Sequence, residues 1–154
     1  MGTIAVYVDA DAMPRDAMKT IQAVGQRYGA HITTVSSINH HLDGEHHIVV
    51  DAHSQAADMR IVSLVNPGEA TVVVTQDYGL ASLVLGKRAR ALSPTGLVYT
   101  EQNIDQLLYQ RAFSAHARRA GQRTRGPRPR SEEDKQNFAR AFEQILMELA
   151  QTQS

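Results

Sequence analysis

Two short runs of unbroken, largely β-branched apolar residues constrain this chain more than anything else in it. Residues 3–8 (Thr-Ile-Ala-Val-Tyr-Val) run into Asp9, and residues 70–75 (Ala-Thr-Val-Val-Val-Thr) run into Gln76 and Asp77. A strand with one wet face alternates apolar and polar residues. A continuous run belongs to a strand buried on both faces, which in small domains means a parallel sheet sandwiched by helices.

The rest of the chain fits that pattern. Further strands are expected at residues 31–36, 47–51, 89–92 and 97–99, the last two separated by a Ser93-Pro94-Thr95-Gly96 turn. Helical segments intervene. One opens at Pro14, carries Met18, Ile21 and Val24 on its core face, and stops at Gly29. A second is capped by Ser54 and closes at Asn66-Pro67-Gly68, and a third follows Asp77 and ends at Gly86. A fourth starts at the Thr100 cap and runs to Arg119. The last opens at Ser131, three residues before Asp134, with Phe138, Phe142, Ile145 and Leu149 on one stripe. The expectation is an α/β fold with a mostly parallel sheet in the order 3-2-1-4-5. Residues 1–119 form the α/β body, 120–130 a basic Gly/Pro/Arg-rich loop, and 131–150 a C-terminal helix packed on the same domain.

A length of 154 residues suits one domain. The absence of cysteine excludes a disulfide framework, a thiolate nucleophile and a Cys-based zinc site. No apolar run reaches the roughly 18–20 residues of a membrane span, and Asp9 and Asp11 interrupt the apolar start before any signal-peptide pattern develops. The expected location is therefore cytoplasmic, without membrane contact.

The strand ends carry the chemistry. In open parallel sheets, ligands sit outside the carboxyl ends of the strands, where strand order reverses. Asp9 and Asp11 follow the first buried strand and Asp77 follows the fourth, so neighbouring strands would turn three carboxylates toward one crevice. Like charges so placed raise one another's pKa unless a cation or a base neutralises them. A hard divalent ion such as Mg²⁺ accepts a few carboxylates and keeps several waters, and two such ions can serve an in-line phosphodiester displacement. The plainer reading is that these aspartates cap the helices that follow. Asp58 sits one turn into the second helix, favouring the helix dipole or leaning into the crevice. Asp51 lies further away, and Asp16 reads as a surface acid compensating a helix dipole.

His40, His41, His46 and His47 crowd a polar stretch with Asp43 and Glu45, without the helical spacing that fixes a metal site. His40, beside Asn39, is a candidate substrate contact instead. Thr75 and Gln76, adjoining Asp77, are counted with them.

Net neutrality hides an asymmetry. Residues 1–110 hold seven Lys/Arg against eleven Asp/Glu, whereas residues 111–130 hold seven arginines and no acid. The block comprises Arg111, Arg118, Arg119, Arg123, Arg125, Arg128 and Arg130. It suits a phosphate backbone, and equally a role as internal partner of the acidic body. Arg118, Arg119, Arg123 and Arg125 are the candidate RNA contacts. Tyr109 and Phe113 are the nearest rings for stacking.

A set of motifs, in order along nearly the whole chain, resembles the YaiI/YqxD family. The set comprises Val8-Asp9-Ala10-Asp11-Ala12-Met13-Pro14, Ser37-Ile38-Asn39-His40, and Asp51 with Ala56-Ala57-Asp58. It continues with Val74-Thr75-Gln76-Asp77, Leu92-Ser93-Pro94-Thr95-Gly96, Tyr99-Thr100-Glu101-Gln102-Asn103-Ile104, and Arg118-Arg119-Ala120-Gly121 through Gly126-Pro127. That bacterial family is similar to PIN-like nuclease domains. The resemblance implies a Rossmann-like, PIN-type three-layer sandwich and an RNase-type site dependent on Mg²⁺ or Mn²⁺, with the acidic set on Asp9, Asp11, Asp58 and Asp77. The chain departs from the family at Met13, commonly Cys, and at Gln55 and Met59, commonly acids, which thins the charge beside the second helix.

The leading expectation is a metal-dependent nuclease acting on RNA phosphodiester bonds. Asp9, Asp11 and Asp77 would be its catalytic acids, and Asp58 a further metal ligand. One rival is a non-catalytic nucleic-acid or partner-binding module. Another is a haloacid-dehalogenase-like phosphatase with Asp9 as nucleophile and Asp11 as acid/base. Met13 and the lack of room for a cap domain weigh against it.

Overall fold

A computed structural model describes residues 2–37, 46–51, 55–121 and 128–152. Six strands and five helices are found among them: β1 (Ala5–Asp9), α1 (Arg15–Arg27), β2 (His31–Ser37), β3 (His47–Val50), α2 (Ala56–Leu64), β4 (Thr71–Val74), α3 (Tyr78–Gly86), β5 (Arg90–Leu92), β6 (Val98–Tyr99), α4 (Glu101–Arg119) and α5 (Glu132–Thr152). A single 3-10 turn, Ala10–Ala12, follows β1.

The strands form one sheet in the order β3-β2-β1-β4-β5-β6. The expected order 3-2-1-4-5 holds and gains β6, which pairs antiparallel with β5 across the Ser93–Gly96 turn. All other pairings are parallel, and β1 and β4 run side by side with Val8 opposite Val74. The chain leaves β1 toward β2 and β3, then returns to its other side for β4. The order therefore reverses between β1 and β4, where the fold opens a crevice.

The pleat sends successive residues to opposite faces, and two cores result. Val6, Val8, Val72 and Val74 meet Ala17, Ile21 and Val24 of α1 and Phe138, Phe142, Ile145 and Leu146 of α5. Val35, Val73 and Ala91 meet Ala57 and Ile61 of α2, Leu80, Ala81 and Val84 of α3, and Ile104 of α4. The sheet is thus the middle of three layers. Burial on both faces explains why β1 and β4 read as unbroken apolar runs. On α5 the core stripe is Phe138, Phe142, Ile145 and Leu146, while Leu149 packs at its margin.

Helix ends show which local signals the chain uses. Thr100 and Asn103 cap α4 reciprocally, and Ser131 and Asp134 do the same for α5. Gln55 occupies the N-cap position of α2 without a side-chain cap bond, and Ser54 lies outside the described residues. Gly29 closes α1 with a φ of +65°. The matching position after α3 is Arg88 at φ 68°, not Gly86, which is the last helical residue. Gly96, at φ +90°, is obligatory for another reason: a Cβ there would lie 2.6 Å from the backbone carbon of Asn137 in α5.

Candidate functional site

Asp9 ends β1 and Asp77 follows β4, so neighbouring parallel strands deliver both acids to one mouth of the sheet. Between them stands Thr75. Its hydroxyl donates to Asp9 Oδ2 at 2.9 Å and accepts the Asp77 backbone N–H at 3.0 Å. Its carbonyl accepts the Tyr99 hydroxyl at 3.0 Å. Sequence alone reads Thr75 as a candidate substrate contact; in the fold the residue is fully buried and its hydroxyl is engaged by Asp9 and Asp77. It holds the two acids in register instead.

Asp11 stands on the 3-10 turn after β1 and accepts the Ser37 backbone N–H at 2.8 Å, which ties the turn to the end of β2. Asp77 caps α3, its Oδ1 accepting the N–H groups of Gly79 (2.8 Å) and Leu80 (3.1 Å). The capping role anticipated as the plainer reading is therefore real for Asp77, and it coexists with convergence on the pocket. Arg111 of α4 reaches the same oxygen at 3.5 Å. Asp58, in the first turn of α2, shares a hydrogen bond with Asp77.

The electrostatics follow from this gathering. Burial, then the charges and hydrogen bond of Asp77, then the charges of Asp9 and Asp11, push the Asp58 carboxyl up to about 7. Asp9 is also raised, first by burial and then by Asp11 and Asp77, against the Thr75 hydrogen bond. Four carboxyl groups thus sense one another across a single crevice. Among the described residues, however, no three His, Cys, Asp or Glu side chains are arranged so that they could hold a metal ion. The acids are neighbours without being a formed ion cage. Their donor chemistry, carboxylate oxygen throughout, matches hard divalent cations.

The remaining candidates are scattered. Gln76 is exposed and borders a cleft of about 360 Å³, together with Pro14, Tyr78, Pro94 and Arg130, that none of the four aspartates lines. Arg118 and Arg119 are exposed near the end of α4. Asn39, His40, His41, Asp43, Glu45, Arg123 and Arg125 lie outside the described residues. His47 bonds through its two ring nitrogens to the Thr34 and Ser36 hydroxyls, and His46 stacks near His31, so both are used within the sheet edge. Asp16 is no mere dipole compensator. It takes a two-pronged bond from Arg130 at 2.8 and 2.7 Å, which holds its carboxyl below the usual range. Arg128 grips Asp134 in the same way, at 2.9 and 2.6 Å, and pulls that carboxyl down to about 2. With Arg111 on Asp77, at least three arginines of the basic block therefore have internal partners among the described residues. Sequence reading overlooked Tyr99 and Arg111 as parts of the site. Nothing in the sequence sets the rotation of α4 that aims Arg111 at Asp77.

Comparison with known proteins places these features in context. Residues 7–148 match the model of the uncharacterised YaiI/YqxD family. A UPF0178 protein of Oceanobacillus iheyensis is 46 % identical over 147 residues, covering 92 % of this chain and 97 % of its own. Another, of Heliobacterium modesticaldum, is 41 % identical over 143 residues, covering 93 % and 97 %. Rae1 (YacP) of Bacillus subtilis, a solved structure, aligns over 94 % of this chain and 98 % of its own, with a TM-score of 0.42 and 20 % identity. A likeness at that level carries no functional argument. The match over almost the full length and identities above 40 % are decisive for kinship: the chain belongs to the YaiI/YqxD family.

Proposed function

We propose that this protein is a divalent-metal-dependent nuclease cleaving RNA phosphodiester bonds, with Mg²⁺ or Mn²⁺ bound by Asp9 and Asp77 and supported by Asp11 and Asp58. The observation that carries the reading is the convergence of four aspartates at the reversal point of the sheet, with Asp58 shifted to about 7 by burial and then by its neighbours. Such a group opposes its own ionisation, and a doubly charged cation relieves the repulsion better than one proton does. Bound there, the ion supplies charge stabilisation for the phosphoryl oxygens and a means of activating water. The residues of the chain do the rest. Thr75 and the α3 N-terminus hold Asp9 and Asp77 in place, while Arg111 sets a cation beside the acids for a phosphate oxygen.

A non-catalytic binding module is the second reading, favoured by the hydrogen bonds that occupy Asp9, Asp11 and Asp77 within the fold. Incubation of a labelled single-stranded RNA with the protein and millimolar Mn²⁺ or Mg²⁺ separates the two. The nuclease cleaves only with metal, and Asp9→Asn or Asp77→Asn lowers the rate at least a hundredfold, on the order of 3 kcal/mol of transition-state stabilisation. RNA left intact by the wild type with either metal defeats the proposal.

A further inference from the structure

Helix α4 carries a stripe that its own fold leaves uncovered. Tyr109, Ala112, Phe113 and His116 recur at the i, i+3, i+4, i+7 spacing that normally faces a core. All four are exposed, Tyr109 at 71 % and Phe113 at 63 %. The helix buries only Ile104 and Ala117 among its described residues. The two rings, with Gln110 and Ser114, border a surface groove of about 390 Å³.

Charge and size decide what suits this face. No acid occurs between Gln106 and Arg130, whereas Arg111, Arg118 and Arg119 stand on the same helix. The stripe spans only two turns, far short of the roughly 800 Å² that each partner of a standard protein interface contributes. A polyanion with flat apolar faces meets the rings and the cations at once. Arg111 lies about 200° around the helix from Tyr109 and from Phe113, and it reaches Asp77. The helix therefore separates the acidic pocket on one side from the ring stripe on the other.

We infer that Tyr109 and Phe113, with His116 beside them, form a stacking platform for the bases of single-stranded RNA that crosses α4 from the acidic pocket. The inference rests on RNA being the ligand, as in the function proposed above, and not on turnover.

Fluorescence anisotropy with a labelled oligouridine, in EDTA and across a salt series, tests it on the full chain. Tyr109→Ala/Phe113→Ala should weaken binding by at least about fivefold per ring. The log–log salt slope should stay unchanged, since no phosphate contact is lost. Tyr109→Trp/Phe113→Trp should restore affinity, and melting curves should confirm that all variants fold. Unchanged affinity in the alanine variant overturns the platform, as does a wild type that binds no RNA. A wild-type dimer in sedimentation that the alanine variant dissociates also overturns it, by making the stripe a protein contact. A wild type that binds through the rings yet never cleaves RNA with Mn²⁺ upholds the platform and defeats the nuclease reading alone.

Discussion

Arg88 holds a left-handed backbone conformation, φ 68°, in which the N–H of Arg88 bonds Leu85 and that of Ala89 bonds Val84. This is the closure that Gly29 gives α1, made here by a residue that strains to adopt it. Arg88→Gly should therefore stabilise the protein by about 0.5–1 kcal/mol, read as a rise in denaturation midpoint at constant slope. A lower midpoint would mean that the arginine side chain contributes more than its backbone costs. Asp58 makes the opposite kind of demand. Its carboxyl is raised to about 7, so below that pH the folded chain binds more protons than the unfolded chain does. Stability contributed by this group is complete below the ordinary carboxylate range and is lost as pH rises toward 7. Asp58→Asn should remove the loss. Because the group is only partly buried, the gain is discounted to about 1 kcal/mol, or roughly 2–4 °C of melting temperature at about pH 8. The gain should shrink toward zero near pH 4. An equal gain at both pH values would show that the repulsion described here is not its source.

At the scale of elements, the basic block divides. Arg128 and Arg130 bind Asp134 and Asp16, and Arg130 also donates to the Pro94 carbonyl at 2.6 Å. These bonds pin the chain just before α5 to the N-terminal turn of α1 and to the β5–β6 turn. The seven-arginine pattern was legible in sequence, but which members face inward was not. That depends on the packing of α5, which brings Asp16 within reach of a residue 114 positions away. Arg130→Gln should therefore cost about 1 kcal/mol, seen as a lower denaturation midpoint, while leaving the salt slope of RNA binding unchanged. Arg123→Gln/Arg125→Gln should do the reverse, flattening that slope by up to roughly 0.7 for each phosphate contact removed. If Arg130→Gln instead flattens the slope at full stability, the internal clasp is not its role. The acids at Asp16 and Asp134 have lowered pKa values, so their contribution is present above the usual carboxylate range. It fades as pH falls toward 2.

Across the whole molecule, the features most readable from sequence were those set by burial on both faces of a sheet. The unbroken runs in β1 and β4 announced a parallel sheet, and the aspartate at each run's end announced a shared mouth. Thr75 was less readable, since a hydroxyl at a strand end looks alike whether it meets a ligand or a neighbouring acid. Arg111 and the ring stripe of α4 depended on the rotation of one helix, which its own periodicity leaves undetermined. The central claim is that the four aspartates at the β1–β4 reversal bind a divalent cation in the folded state. A melting-temperature titration with Mn²⁺ tests it most directly, because an ion bound only by the folded chain stabilises it by mass action, about 2.7 kcal/mol at a hundredfold excess over the dissociation constant. The account predicts a rise of several degrees across millimolar Mn²⁺ that Asp9→Asn removes. A wild-type curve that does not move, or an equal rise in Asp9→Asn, would contradict it.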